Sequence, residues 1–141
     1  MLHEIFVAGA YALCAASAPA LRPVWTGAEL LEAQALCRGL WMEDVVGDYI
    51  VDLVMATRPS PGSDLARFIQ FGASPRASIA LAAAARAHAL LMGRAFVTPD
   101  NVKAVGPDVL RHRVLLTYEA EAEELDADAI VRRVFERVRT P

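Results

Sequence analysis

The sequence has no glycine-rich phosphate loop. Its 8 glycines are isolated and the pattern GxxxxGK[ST] is absent, which removes the backbone cradle that many nucleotide-binding proteins use. Cysteine is scarcer still: Cys14 and Cys37 are the 2 present. They show no CxxC spacing and no histidine pattern surrounds them, so buried free thiols in a reducing compartment are expected rather than a disulfide or a metal site. His3, His88 and His112 are scattered, each without a carboxylate or cysteine at ligand spacing. A net charge of -3 offers no basic footprint, which argues against a nucleic-acid partner. Strand-like alternation is nearly absent. The acidic run Glu119, Glu121, Glu123 and Glu124 reads as a solvated connection rather than an acid pair or cation site.

What remains is an apolar, alanine-rich chain. Hydrophobic residues make up 55% and charged residues 22% of 141 positions, enough to bury a core in one domain and too apolar for general disorder. Residues 5–21 carry no charge. Ala16-Ser17-Ala18 has the form of a cleavage site, yet Met1-Leu2-His3-Glu4 contains no lysine or arginine, and the run is short and alanine-rich for a membrane span. Residues 1–21 are therefore read as an apolar segment packed on the rest of the chain or on a partner, with a membrane or secretory role as the alternative.

Helix signals recur along the remainder. Thr26-Gly27-Ala28-Glu29 has the form of a capping box and predicts a helix to about residue 40 that buries Leu30, Ala33, Cys37 and Leu40. Val46, Tyr49, Ile50, Leu53, Val54 and Thr57 recur at spacings of three and four, placing one apolar face on a helix over 43–58. Pro59-Ser60-Pro61-Gly62-Ser63 breaks it, and a helical turn is expected over 64–69. Ser74 at an N-cap and Pro75 at the first helical position open a third helix, which Gly93 closes after residue 92. Between residues 77 and 89 it carries 8 alanines; such small side chains let another backbone approach, so this helix is placed at the centre. Thr98-Pro99 opens a short helix to about residue 105, Gly106-Pro107 interrupts it, and a further turn covers 108–112. Residues 114–118 are the one credible strand. The last helix starts near Asp126 and buries Ile130, Val131, Val134, Phe135 and Val138. Asp126 and Asp128 lie at its positive end, Arg137 and Arg139 at its negative end. The expected fold is all-α, an irregular helical bundle with at most one short strand.

One residue breaks a local rule. Arg76 would be the second residue of the third helix, where the macrodipole is positive and a cation is disfavoured by about 0.3–1 kcal/mol. An anion at that end reverses the sign, because exposed helix N–H groups and a guanidinium then converge on one phosphate. Pairing with an acid such as Asp64, or a side chain pointing into solvent, accounts for the position equally well.

The motifs Gly72-Ala73-Ser74-Pro75-Arg76-Ala77, Ala84-Ala85-Arg86-Ala87-His88-Ala89 and Val97-Thr98-Pro99-Asp100-Asn101-Val102-Lys103 resemble the lid domain of MoxR-type AAA+ ATPases. Asp48-Tyr49-Ile50-Val51-Asp52-Leu53-Val54 with Ala56-Thr57-Arg58 continues the resemblance, as do Pro107-Asp108-Val109-Leu110-Arg111-His112-Arg113 and Ile130-Val131-Arg132-Arg133. It covers about residues 22–141, the expected lid domain, and leaves 1–21 outside. The resemblance implies that Arg76 is the sensor 2 arginine, reaching the phosphates of ATP held with magnesium by a separate AAA+ core, and that Ser74 and Pro75 form a hinge-side loop facing that site. It also implies a ring of neighbouring subunits, commonly hexameric, chaperone-like remodelling of partners such as von Willebrand A domain proteins, and a cytoplasmic location. The Walker A, Walker B, sensor 1 and arginine-finger elements of the family are absent from this sequence. Hydrolysis by this chain alone is not expected, since a lone arginine cannot orient magnesium, water and leaving group. An independent helical interaction module without a nucleotide role is the alternative reading, and a DNA-binding helical domain ranks below both.

Overall fold

The computed structural model describes residues 23–141; the apolar segment 1–21, with His3 and Cys14, lies outside the described residues. The elements are α1 (Gly27–Gly39), α2 (Asp44–Ala56), β1 (Ile69–Phe71), α3 (Pro75–Leu91), α4 (Pro99–Leu110), β2 (Leu115–Leu116), α5 (Tyr118–Ala122) and α6 (Ala127–Arg137). The chain divides into two units between Glu32 and Ala33, and the bundle is built from the second.

At the start of α1 the capping box forms. The Thr26 amide and hydroxyl donate to the Glu29 carboxylate at 2.6 and 2.8 Å, and the Glu29 amide donates back to the Thr26 hydroxyl at 3.3 Å. The Thr26 amide, and then its hydroxyl, hold the Glu29 carboxyl below the usual range by stabilising the charged form. The burial expected for this helix does not follow. Leu30 is 50% exposed, while Ala33, Cys37 and Leu40 are only partly buried. Leu30, Leu31 and Leu36 project at widely different angles around the axis, so the helix has no single apolar stripe to bury.

α2 follows its sequence pattern closely: Val46, Tyr49, Ile50, Leu53, Val54 and Thr57 are all buried. α3 is the central helix, packed most extensively on α4 and also on α2. Ala77, Leu81, Ala85 and Ala89 recur every four residues and have no exposed surface; three of the four are alanines, which lets the α4 backbone lie close. The C-terminus of α3 closes as a Schellman motif: the Gly93 amide donates to the Leu90 carbonyl at 2.9 Å and the Arg94 amide to the Ala89 carbonyl at 2.9 Å. Gly93 takes φ +68, the left-handed conformation the motif requires. α6 is capped by the Asp126 carboxylate, which accepts from the Ala129 amide at 2.7 Å. It buries Ile130, Val131 and Val134 against α4 and α2.

Three expectations are corrected. Gly106-Pro107 does not interrupt α4, which runs through to Leu110 with Pro107 inside it. Val102, Gly106 and Leu110 share its buried face, and the Gly106 hydrogen faces the Phe135 ring so tightly that a Cβ there would collide with it. Packing of this face outweighs the one backbone hydrogen bond that proline removes. Residues 69–71 are not the end of a helical turn but a strand. β1 pairs antiparallel with β2, Ile69 opposite Leu116 and Phe71 opposite Leu115, so the strand anticipated within 114–118 has a partner. The acidic run after it is not simply a connection, because residues 118–122 form α5. Thr117 caps that helix, accepting from the Ala120 amide while donating to the Arg67 carbonyl at 2.7 Å, and Ala120 is fully buried.

Leu81→Ala is expected to destabilise the chain by about 2–5 kcal/mol, because the fully packed site cannot collapse around the cavity. Gly93→Ala should cost roughly 1 kcal/mol, the strain of a left-handed non-glycine residue. Urea unfolding measures both, and a negligible loss for Leu81→Ala would sink the placement of α3 at the centre.

Candidate functional site

α2 closes at Thr57, which continues its apolar stripe with an aliphatic hydroxyl and has no exposed surface. A hydroxyl in that position must find partners inside the protein. It donates to the Val54 carbonyl at 2.6 Å and accepts from the Ala73 amide at 2.9 Å. The next residue, Arg58, donates from Nε to the Ala73 carbonyl at 3.4 Å. Both backbone polar groups of buried Ala73 are thus tied to the C-terminal end of α2. Gly72 makes the approach possible: a Cβ there would meet the Thr57 carbonyl oxygen and lie 2.7 Å from the Arg58 Cα, a backbone-to-backbone contact that no side chain shift relieves.

This junction delivers the chain to the N-terminus of α3. Ser74 takes the N-cap backbone conformation, φ -77 and ψ 165, but its side chain makes no capping bond. Pro75 occupies the first helical position, where its missing N–H costs nothing. The Ala77 amide turns back to the Ser74 carbonyl at 2.8 Å. The first turn contains no acidic residue. Ser74, Pro75 and Arg76 are all exposed, on one short surface at the positive end of a 17-residue helix.

Arg76 has no hydrogen-bond or ion-pair partner among the described residues. Asp64, its candidate partner, is engaged elsewhere: it accepts from Arg137 at 2.7 Å. The other ion pairs join Arg67 to Glu123 at 3.2 Å and Arg111 to Asp108 and Asp128 at 2.6 and 3.3 Å. All four pairs involve exposed side chains and contribute little to stability. The guanidinium of Arg76 therefore stands beside the helix dipole with its charge uncompensated, an arrangement suited to an anion supplied from outside.

The remaining candidates settle into structural roles. His88 is tied through Nδ1 to the Asn101 side-chain nitrogen at 3.0 Å. Asn101, itself buried, also accepts from the Thr98 amide at 2.9 Å and so caps α4. Cys37 carries a free thiol. Among the described residues no cluster of His, Cys, Asp or Glu could hold a metal ion, and no helix is long and apolar enough to cross a membrane. Thr57 and Arg58, which hold this helix start in place, stand in the sequence only as part of the α2 stripe and the family motif, with no site role attached to them. The signal for Thr57 was available: an aliphatic hydroxyl on an apolar stripe implies a tertiary acceptor or donor. For Arg58 no such signal exists, since an arginine at a helix end is ordinarily solvated.

Comparison with known proteins converges on one region and one family. The AAA lid domain family matches residues 63–134. The chaperone MoxR1 of Mycobacterium tuberculosis is 39% identical over 126 residues, which cover 87% of this chain and 33% of that protein. Protein MoxR of Methylorubrum extorquens is 37% identical over 118 residues, covering 77% of this chain and 34% of its own length. A crystal structure described as that of an ATPase from Cytophaga hutchinsonii superposes with a TM-score of 0.71 at 34% identity, covering 76% of this chain and 33% of the other. The chain spans about a third of the length of these relatives.

Because Arg76 is exposed and unpaired, Arg76→Ala should change the unfolding free energy of the chain by no more than about 0.5 kcal/mol. Gly72→Ala, by contrast, should cost about 1–3 kcal/mol through overpacking against the α2 terminus. Thermal or urea unfolding of the two variants compares them; a large loss for Arg76→Ala would reveal a structural role instead.

Proposed function

This chain belongs to the AAA lid domain family and resembles the lid of MoxR-type AAA+ ATPases, and from that premise we propose that it is a nucleotide-responsive lid in which Arg76 is the sensor 2 arginine. The reading takes residues 22–141 as the lid, with 1–21 outside it. The observation that carries it is the unpaired guanidinium of Arg76 at an acid-free helix N-terminus. That arrangement is unfavourable in isolation and becomes favourable against phosphate.

ATP with magnesium, held by a separate AAA+ core, would supply the phosphoryl group whose hydrolysis drives the cycle. The residues of this chain fit one part of that task. Arg76 would donate to a terminal phosphate oxygen, and Ser74 and Pro75 would form the surface of the hinge-side loop beside it. The fit extends no further: the sequence offers no Walker A lysine and no Walker B carboxylate, so this chain is not expected to hydrolyse ATP by itself. With the phosphate gone, Arg76 loses its anchor and the lid is free to rotate. In a ring of neighbouring subunits that rotation carries a local charge change to the next subunit. Chaperone-like remodelling of partner proteins, von Willebrand A domain proteins among them, would be the output, and the cytoplasm is the location that supplies both ATP and the reducing conditions suited to a free Cys37.

In a reconstituted core-plus-lid ATPase, Arg76→Ala is expected to weaken ATP binding or turnover by about tenfold or more, the loss of a hydrogen bond to a charged group. ATP titration of turnover measures it. Unchanged affinity and turnover would refute the sensor role.

A further inference from the structure

The N-terminal turn of α3 is not held by its own cap. Ser74 makes no capping hydrogen bond, Pro75 brings no amide, and Arg76 has no partner among the described residues. What fixes this turn is the preceding residue, Ala73, whose amide and carbonyl are bound by Thr57 and Arg58 at the end of a different helix. We propose that Thr57 is a positioning residue for Arg76: its hydroxyl, by clamping the Ala73 amide, sets where the guanidinium stands relative to the nucleotide phosphates. This rests on the reading of Arg76 as the phosphate-sensing arginine.

The geometry gives the clamp little slack. Thr57 and Ala73 have no exposed surface, so water does not replace the bond if it breaks, and an unpaired buried amide is costly. The Thr57 hydroxyl uses its proton on the Val54 carbonyl at 2.6 Å, which orients its lone pairs toward Ala73. Gly72 lies against the Thr57 and Arg58 backbone with no room for a Cβ, so the loop cannot slide past the end of α2. Only Ser74 and Pro75 lie between the clamped Ala73 and Arg76, and Ala77 and Leu81, both without exposed surface, bind the following turns to the core. The arginine is therefore pinned from behind by α2 and from ahead by the bundle. Loss of the clamp would let the start of α3 shift and Arg76 with it, and small misplacements of a charge-binding group have large effects on its partner.

Thr57→Val keeps the shape and removes the hydroxyl, whereas Thr57→Ser keeps the hydroxyl. The test is ATP-concentration dependence of turnover in the core-plus-lid ATPase, with the two changes made singly and in an Arg76→Ala background. Thr57→Val is expected to raise the half-saturating ATP concentration by about tenfold, Thr57→Ser to restore it, and Thr57→Val to add less than about twofold once Arg76 is gone, since the pair acts as one unit. An equal effect in both backgrounds would show a merely structural role and overturn the proposal, as would unchanged ATP dependence in Thr57→Val beside a weakened Arg76→Ala. If Arg76→Ala itself changes nothing, the sensor reading falls first and this proposal with it. Should Thr57→Val fail to fold, Arg58→Ala releases the Ala73 carbonyl instead; its effect must likewise vanish without Arg76, and additivity there overturns the proposal.

Discussion

The hydrogen bond from the Ala73 amide to the buried Thr57 hydroxyl is the constraint on which the start of α3 depends. It joins residues 16 positions apart in sequence, closes the excursion made by the proline-rich turn and β1, and lets α3 begin beside the end of α2. A hydroxyl and an amide withdrawn from water must satisfy each other. That demand, reinforced by the absence of a Cβ at Gly72, converts a flexible loop into a defined helix start.

Around that junction, packing is governed by small side chains. The alanine row of α3 admits α4 at close range, and Gly106 does the same where α4 meets Phe135 of α6. These contacts explain why α4 continues through a proline: the buried face formed by Val102, Gly106 and Leu110 gains more from unbroken helical spacing than one missing hydrogen bond removes. The two-stranded sheet has a comparable logic. Thr117 donates through its hydroxyl to the Arg67 carbonyl and through its amide to the Phe68 carbonyl at 3.0 Å, so the loop before β1 and the start of α5 are fastened together.

The electrostatics of the α3 terminus contrast with the rest of the surface. At the starts of α1, α2, α4 and α6 an acid stands in the first turn, the arrangement that offsets a helix dipole. At α3 the dipole meets Arg76 instead. The chain spans about a third of the length of its relatives, and under the proposed function the missing counter-charge would be a nucleotide phosphate held by the AAA+ core.

The sequence by itself determined the helices whose signals are local. Period and caps placed α2, α3 and α6, because an apolar stripe, a proline at the first turn and a glycine in the left-handed conformation act over a few residues. The same locality exposed Arg76 as an anomaly and supported the family resemblance. Only the tertiary structure decided that Gly106-Pro107 would not break α4 and that residues 69–71 would pair with 115–116. Both turn on a neighbour distant in sequence, Phe135 for Gly106 and β2 for β1, whereas the exposure of Leu30 follows from the scattered leucines of α1 itself. The clamp on Arg76 belongs to the same class, since a hydroxyl on an apolar face announces that it needs a partner but not that the partner is Ala73. Pairing across 16 residues depends on how the chain returns, and the energy of that return lies in the packed core rather than in any local window.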